Sequence, residues 1–179
     1  MASSVGQTPE SSLRRVVTNT TPLIALSVAC GNLDFLRQLY DEVVVTHEVA
    51  NEITAGGLHR PGVGEFLAAQ SWLKPMTASC AISPYLLNKL DSGEASVIQA
   101  ALDQRIQLVA IDEVVGRRVA RLAGLSVTGS IGILLKARKL GLSGGMADCF
   151  ARLRAHGIWL SEQVQTYALA QEAVIERGD

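Results

Sequence analysis

Gln107-Leu108-Val109-Ala110-Ile111-Asp112-Glu113 is a short apolar run that ends on two carboxylates. A run this brief, bounded by polar residues, predicts a strand buried on both faces of a parallel sheet. Outward from it, the sequence predicts a helix from about Val114 to Ala123 and a strand over Ser126-Val127-Thr128. Gly129 then opens a helix through Lys139 that Gly141 stops. Upstream, Asp91-Ser92-Gly93-Glu94 starts a helix to about Gln104, with Val97, Ile98, Ala101 and Leu102 in one apolar stripe. A second apolar run ends the same way: Arg15-Val16-Val17-Thr18 leads into Asn19. Parallel strands deliver their C-termini to one sheet edge, where open α/β folds place ligand sites. Asn19, Asp112 and Glu113 are therefore expected to converge.

The rest of the chain alternates in the same manner. Thr20-Thr21-Pro22 starts an almost wholly apolar helix that ends near Gly31, as a threonine cap with proline in the first turn favours. Leu33 to Tyr40 reads as helix, Val43 to Thr46 as strand, and His47 to Thr54 as helix closed by Gly56-Gly57. Residues 61–70 read as a short helix, Trp72 to Met76 as an edge strand and 77–84 as loop. Helices near 146–155 and 161–176 finish the chain. Their connection at His156-Gly157 fits a helical hairpin better than a DNA-reading helix-turn-helix. Alternating strands and helices predict an α/β fold with a central parallel sheet. Residues 1–14 are expected to be a flexible tail and 15–179 a single domain.

At 179 residues the chain can bury a core without disulfides. With only 4% aromatic residues, Leu, Val, Ile and Ala must fill that core, and few rings remain for base stacking. Cys30, Cys80 and Cys149 show no paired spacing and read as buried thiols of a reducing cytosol. No apolar run approaches the roughly 20 residues of a membrane span, and the first dozen residues carry no secretion pattern. A cytoplasmic location is expected. Residues 34–103 carry a net charge of −5 and 105–154 a net +6. This polarity suits either a basic flank for phosphates or ordinary solvated helix faces.

Each candidate side chain has two readings. Asp112 follows a buried strand, where a carboxylate needs a partner or a metal; alternatively it caps the helix at Val114. Glu113 suits a first helical turn through the helix dipole. Glu94 is a site candidate or the far half of a capping box with Asp91. Glu48 and Glu52 share one helix face, with Glu52 nearer the apolar side. Thr20 and Thr21 offer hydroxyls to backbone or water, with capping their default role, and Thr20 is also a candidate for holding substrate. Arg117, Arg118 and Arg121, one or two turns beyond Asp112, are placed to hold a phosphate backbone. The sequence holds no phosphate-binding glycine loop, nucleophile elbow or histidine–cysteine metal pattern. What remains is an all-oxygen cluster suited to Mg²⁺ or Mn²⁺.

Four blocks in order, VVTNTTPLIAL (16–26), VVVTHEVANEI (43–53), SGEASVIQAALD (92–103) and QLVAIDEVVGRRVARLAGLSVTGSIGILLKARKLG (107–141), make the chain resemble a PIN domain. It is similar to prokaryotic PIN proteins akin to the toxin ribonucleases of toxin–antitoxin pairs. The resemblance implies a three-layer α/β/α fold and a metal-holding set at Asn19, Glu52, Glu94 and Asp112, with Glu113 in addition. It also implies one or two Mg²⁺ or Mn²⁺ ions, RNA as substrate, a small antitoxin partner and a homodimer. The chain departs from the family at Asn19, where most of its nucleases carry aspartate. The rival expectation is a PIN-like binding module disabled by that change. A phosphoacceptor receiver is disfavoured because Thr18-Asn19-Thr20 supplies no acid pair.

Overall fold

A computed structural model describes residues 13–178. Five parallel strands form one sheet: β1 (Arg15–Thr18), β2 (Glu42–Val45), β3 (Lys74–Pro75), β4 (Leu108–Ala110) and β5 (Ser126–Thr128), in the order β3-β2-β1-β4-β5. β1 lies at the centre, Val17 pairing with Val44 on one side and Val109 on the other. Val17, Val45, Val109 and Ala110 are wholly buried, which is why these segments are apolar at consecutive positions.

Ten helices complete a three-layer α/β/α arrangement among the described residues. They are α1 (Thr20–Cys30), α2 (Leu36–Leu39), α3 (His47–Ala55), α4 (Val63–Ala69), α5 (Pro84–Leu87), α6 (Ser92–Asp103), α7 (Val114–Leu122), α8 (Ser130–Lys139), α9 (Met146–Ala155) and α10 (Glu162–Arg177). The apolar α1 is enclosed by α8, α9, α3 and α4, and Gly31 ends it in the left-handed conformation at φ 75°. On the sheet, α6 packs against β1 and β4, while α7 packs against β5. The strand order reverses direction at β1/β4, and the crevice beyond their C-termini is where Asn19 and Asp112 emerge.

Differences from the expected elements are local. Leu33 to Phe35 form turns, so α2 is only its last part. The loop read over 77–84 gives way to α5, started by Ser83 accepting from the Leu86 N–H with Pro84 in the first turn. Most of the expected tail lies outside the described residues, and Arg14 is anchored by Asp41 at 2.8 Å. Cys149 is buried whereas Cys30 and Cys80 are half-buried, and all three are free thiols. The last two helices form a hairpin, α10 lying on α8 and α9. Glu172 secures it: its Oε1 accepts from Arg138 Nε at 2.8 Å and from the Met146 N–H at 3.0 Å. Among the described residues no helix is long and apolar enough to cross a membrane.

Candidate active site

The turn after β1 places Asn19 as the cap residue of α1, yet its side chain makes no capping bond. The residue is 4% exposed. Its Nδ2 donates to Glu113 Oε2 at 3.4 Å, while its Oδ1 is buried without a hydrogen-bond partner. Leaving such an oxygen unsatisfied costs free energy on the order of 1–3 kcal/mol. The neighbouring hydroxyls are committed to acids: Thr20 donates to Glu52 Oε2 at 2.6 Å, and Thr21 donates to Glu113 Oε1. The sequence favours capping for both threonines, with Thr20 also a candidate for substrate. Their actual partners lie on distant segments, which no local pattern reveals.

Glu94 enters from the first turn of α6 and is 6% exposed. Asp91 caps the helix, accepting the Glu94 N–H at 2.8 Å, so the capping role falls to Asp91. Glu94 Oε1 is the second buried oxygen here without a partner. Burial, reinforced by the charges of Asp91, Glu113 and Glu52, pushes the Glu94 carboxyl up to about 7; the Asp91 backbone N–H offsets part of this.

Asp112 does not cap the helix that follows it; the cap position of α7 is Glu113, with no side-chain capping bond. Asp112 Oδ1 instead accepts the Ser130 N–H at 2.8 Å and so holds the first turn of α8. Burial raises its carboxyl above the usual range, opposed by the Ser130 hydrogen bonds. Arg117 also differs from expectation. Its Nη1 donates to the carbonyls of Ile111 at 2.7 Å and Thr128 at 2.9 Å, bracing the ends of β4 and β5. Arg118 and Arg121 are exposed on α7.

Three glycines keep this edge open. A Cβ on Gly93 would stand 3.0 Å from Glu52 Oε2, 3.3 Å from Asp91 Oδ1 and 3.4 Å from Asn19 Oδ1. One on Gly116 would collide with Glu94 Oε1, and one on Gly129 would lie 2.5 Å from Asp112 Oδ1. Glu52 and Asn19 thus face one point in space from α3 and α1, with Glu94 next to it. Asp112 stands to one side, linked electrostatically through Glu113. Among the described residues no three His, Cys, Asp or Glu side chains close around a position fit for an ion. The cluster expected from sequence is gathered along one edge and not clenched. Glu52, expected nearer the apolar side than Glu48, is exposed, whereas Glu48 is half-buried with its Oε2 lacking a partner.

A PIN-domain family model matches residues 15–173. The chain belongs to the PIN-domain family. Searching curated proteins yields no match. The PIN fold is of nuclease type, and PIN domains generally use divalent metal ions. In this PIN domain the donor set is all oxygen, and two buried oxygens, Asn19 Oδ1 and Glu94 Oε1, are unsatisfied. Both properties fit a hard divalent cation. Asn19, Glu52 and Glu94 are the side chains that would hold it, with Asp112 and Glu113 on its flank.

Proposed function

We propose that this PIN domain is a Mg²⁺- or Mn²⁺-dependent ribonuclease that hydrolyses RNA phosphodiester bonds. The observation that carries the proposal is the pair of unpartnered buried oxygens, Asn19 Oδ1 and Glu94 Oε1, amid Glu52, Asp91 and Glu113. A buried acceptor without a donor carries a free-energy cost that a cation or an ordered water recovers. A bound divalent ion supplies an activated water and neutralises charge growing on the phosphate.

The chain's own residues prepare that chemistry. Thr20 fixes Glu52 Oε2 and leaves Oε1 for coordination; the Ser130 N–H fixes Asp112 through Oδ1. Arg118 and Arg121 supply positive charge for the RNA backbone, a contact that reads phosphate rather than sequence. The same proposal includes a cytoplasmic toxin role, a small antitoxin partner and a homodimer. Exposed Val114, Val115 and Leu122 on α7 support a protein contact there.

A second reading has its own support: Asn19 brings no charge, and no three acids close on one point. Under it the fold binds RNA or protein without cleaving. The deciding experiment is RNA cleavage with Mn²⁺ or with chelator, comparing wild type with Asp112→Asn and Glu94→Gln. Mn²⁺-dependent cleavage lost in both variants supports the nuclease. Equal rates in all three, or none with any metal, supports the binding module.

A further inference from the structure

We propose that Trp159 and Tyr167 form a stacking platform for unpaired bases of a single-stranded RNA whose backbone passes Asp112. The inference deepens the ribonuclease reading by naming the substrate class, and rests on it only for the direction of the strand. A groove of about 620 Å³ opens at Asp112 and Thr21 and runs along β5 to the α9–α10 connection, where Ile158, Trp159 and Tyr167 form its far wall.

The exposure of those rings is unusual for this chain. Of eight aromatic residues, the three phenylalanines and Tyr40 are buried, and Trp72 is half-buried with its indole N–H given to Asp34. Trp159 is 76% exposed and Tyr167 58%, and both line this one groove; the third exposed ring, Tyr85, lies on α5. Rings left in water at that level are not core residues, and flat apolar faces in a groove stack bases irrespective of sequence.

Charge points to the same occupant. Among the described residues lining the groove, only Asp112 and Arg117 are charged, and Arg117 is spent on the Ile111 and Thr128 carbonyls. The groove floor therefore suits uncharged bases and not a phosphate-dense duplex. A cation stands beside its far wall: Arg154 lines the adjoining crevice together with Ile158, Trp159 and Leu160. Bases inward with phosphates at a basic rim is the arrangement of single-strand binders. A duplex keeps its bases stacked and paired, out of reach of the rings.

The test uses the full chain carrying Trp72→Phe, so that Trp159 alone reports, in chelator so that no cleavage occurs. A short uridine strand, its paired duplex and the same strand without bases are titrated while Trp159 fluorescence is followed. Saturable quenching is expected with the single strand, and binding about tenfold weaker with the other two. Scored by electrophoretic shift, Trp159→Ala with Tyr167→Ala weakens single-strand binding about tenfold or more, and Trp159→Phe retains most of it. Equal affinity for duplex and single strand, or no loss in the double variant, overturns the platform. So does a blue shift that grows with protein concentration without RNA, which would mean a second copy covers the rings. Quenching without any Mn²⁺-dependent cleavage refutes the nuclease and keeps the platform; cleavage with unchanged KM in the double variant does the reverse.

Discussion

Thr20 Oγ1 donates to Glu52 Oε2 at 2.6 Å, tying the first turn of α1 to α3 across the C-terminal edge of the sheet. The hydroxyl acts as a fixed rest for a carboxylate that is otherwise exposed. Thr20→Val keeps the shape and removes the donor. The expected stability loss is about 1 kcal/mol, seen as a drop in Tm. Mn²⁺ affinity, measured by calorimetry, is expected to weaken several-fold because Glu52 must then be ordered on binding. Unchanged affinity would show that Glu52 takes no part in holding the ion.

Asp112 has two duties that separate by substitution. Asp112→Asn keeps an amide oxygen for the Ser130 N–H, so Tm should stay within about 2 °C of wild type while cleavage is lost. Asp112→Ala removes the α8 cap as well and should cost about 1 kcal/mol in addition. Thermal melts of the two variants beside a cleavage assay check both statements.

Glu94 gives the metal-free protein a pH dependence of definite sign. Its carboxyl rises from the ordinary value of 4.5 to about 7 in the folded chain. Between those values the folded chain keeps a proton that the unfolded chain has released, so stability falls as pH rises through that window. With allowance for water on its open side, the loss is no more than about 2 kcal/mol. Glu94→Gln should therefore raise Tm by about 3–6 °C near pH 8 and leave it unchanged below about pH 4. Melts in chelator at both pH values test this, and an equal shift at each would contradict it.

Gly116→Ala probes the space kept for Glu94. The new methyl meets the flexible end of that side chain and the Ile111 Cγ2 at 2.9 Å. Alanine's better helix propensity, worth about 1 kcal/mol, offsets part of the crowding, so Tm should move little. Displacement of Glu94 Oε1 should nonetheless abolish Mn²⁺ binding in calorimetry. Binding at wild-type strength would mean that Glu94 is not a ligand.

Asn19→Asp restores the charge usual in the family and separates the two functional readings. It removes the donor to Glu113 and adds a like charge near Glu52, Asp91 and Glu113, so the metal-free Tm should fall. Mn²⁺ should recover that loss, since an ion binding only the folded form stabilises it. Faster Mn²⁺-dependent cleavage is expected of a weakened nuclease. No gain in cleavage despite restored metal binding would favour the binding module.

The strands and long helices were legible because their burial dictates their composition: Val16-Val17 and Val109-Ala110 cannot be anything but interior. The shared sheet edge of Asn19 and Asp112 was legible because each follows a parallel strand, whereas Glu94 enters from α6, where no strand end announces it. Partner choice was not legible. Asp112 capping α8 instead of α7, Arg117 turning back onto Ile111 and Thr128, and Thr21 reaching Glu113 all depend on how α7 and α8 lean on the sheet. The α5 turn was different. Ser83-Pro84 carried a cap and a first-turn proline in plain view, and a helix of four residues is simply too short for periodicity to reveal.

Glu172 deserves a last consequence. By gripping Arg138 of α8 and the opening amide of α9 at once, this one carboxylate docks α10, the helix that carries Tyr167. Loosening that anchor, by Glu172→Ala for example, would let the far bank of the groove drift from Asp112 while leaving the sheet and its acids in place. The span from Tyr167 to Asp112 is in this way governed by a contact that lies outside the groove itself.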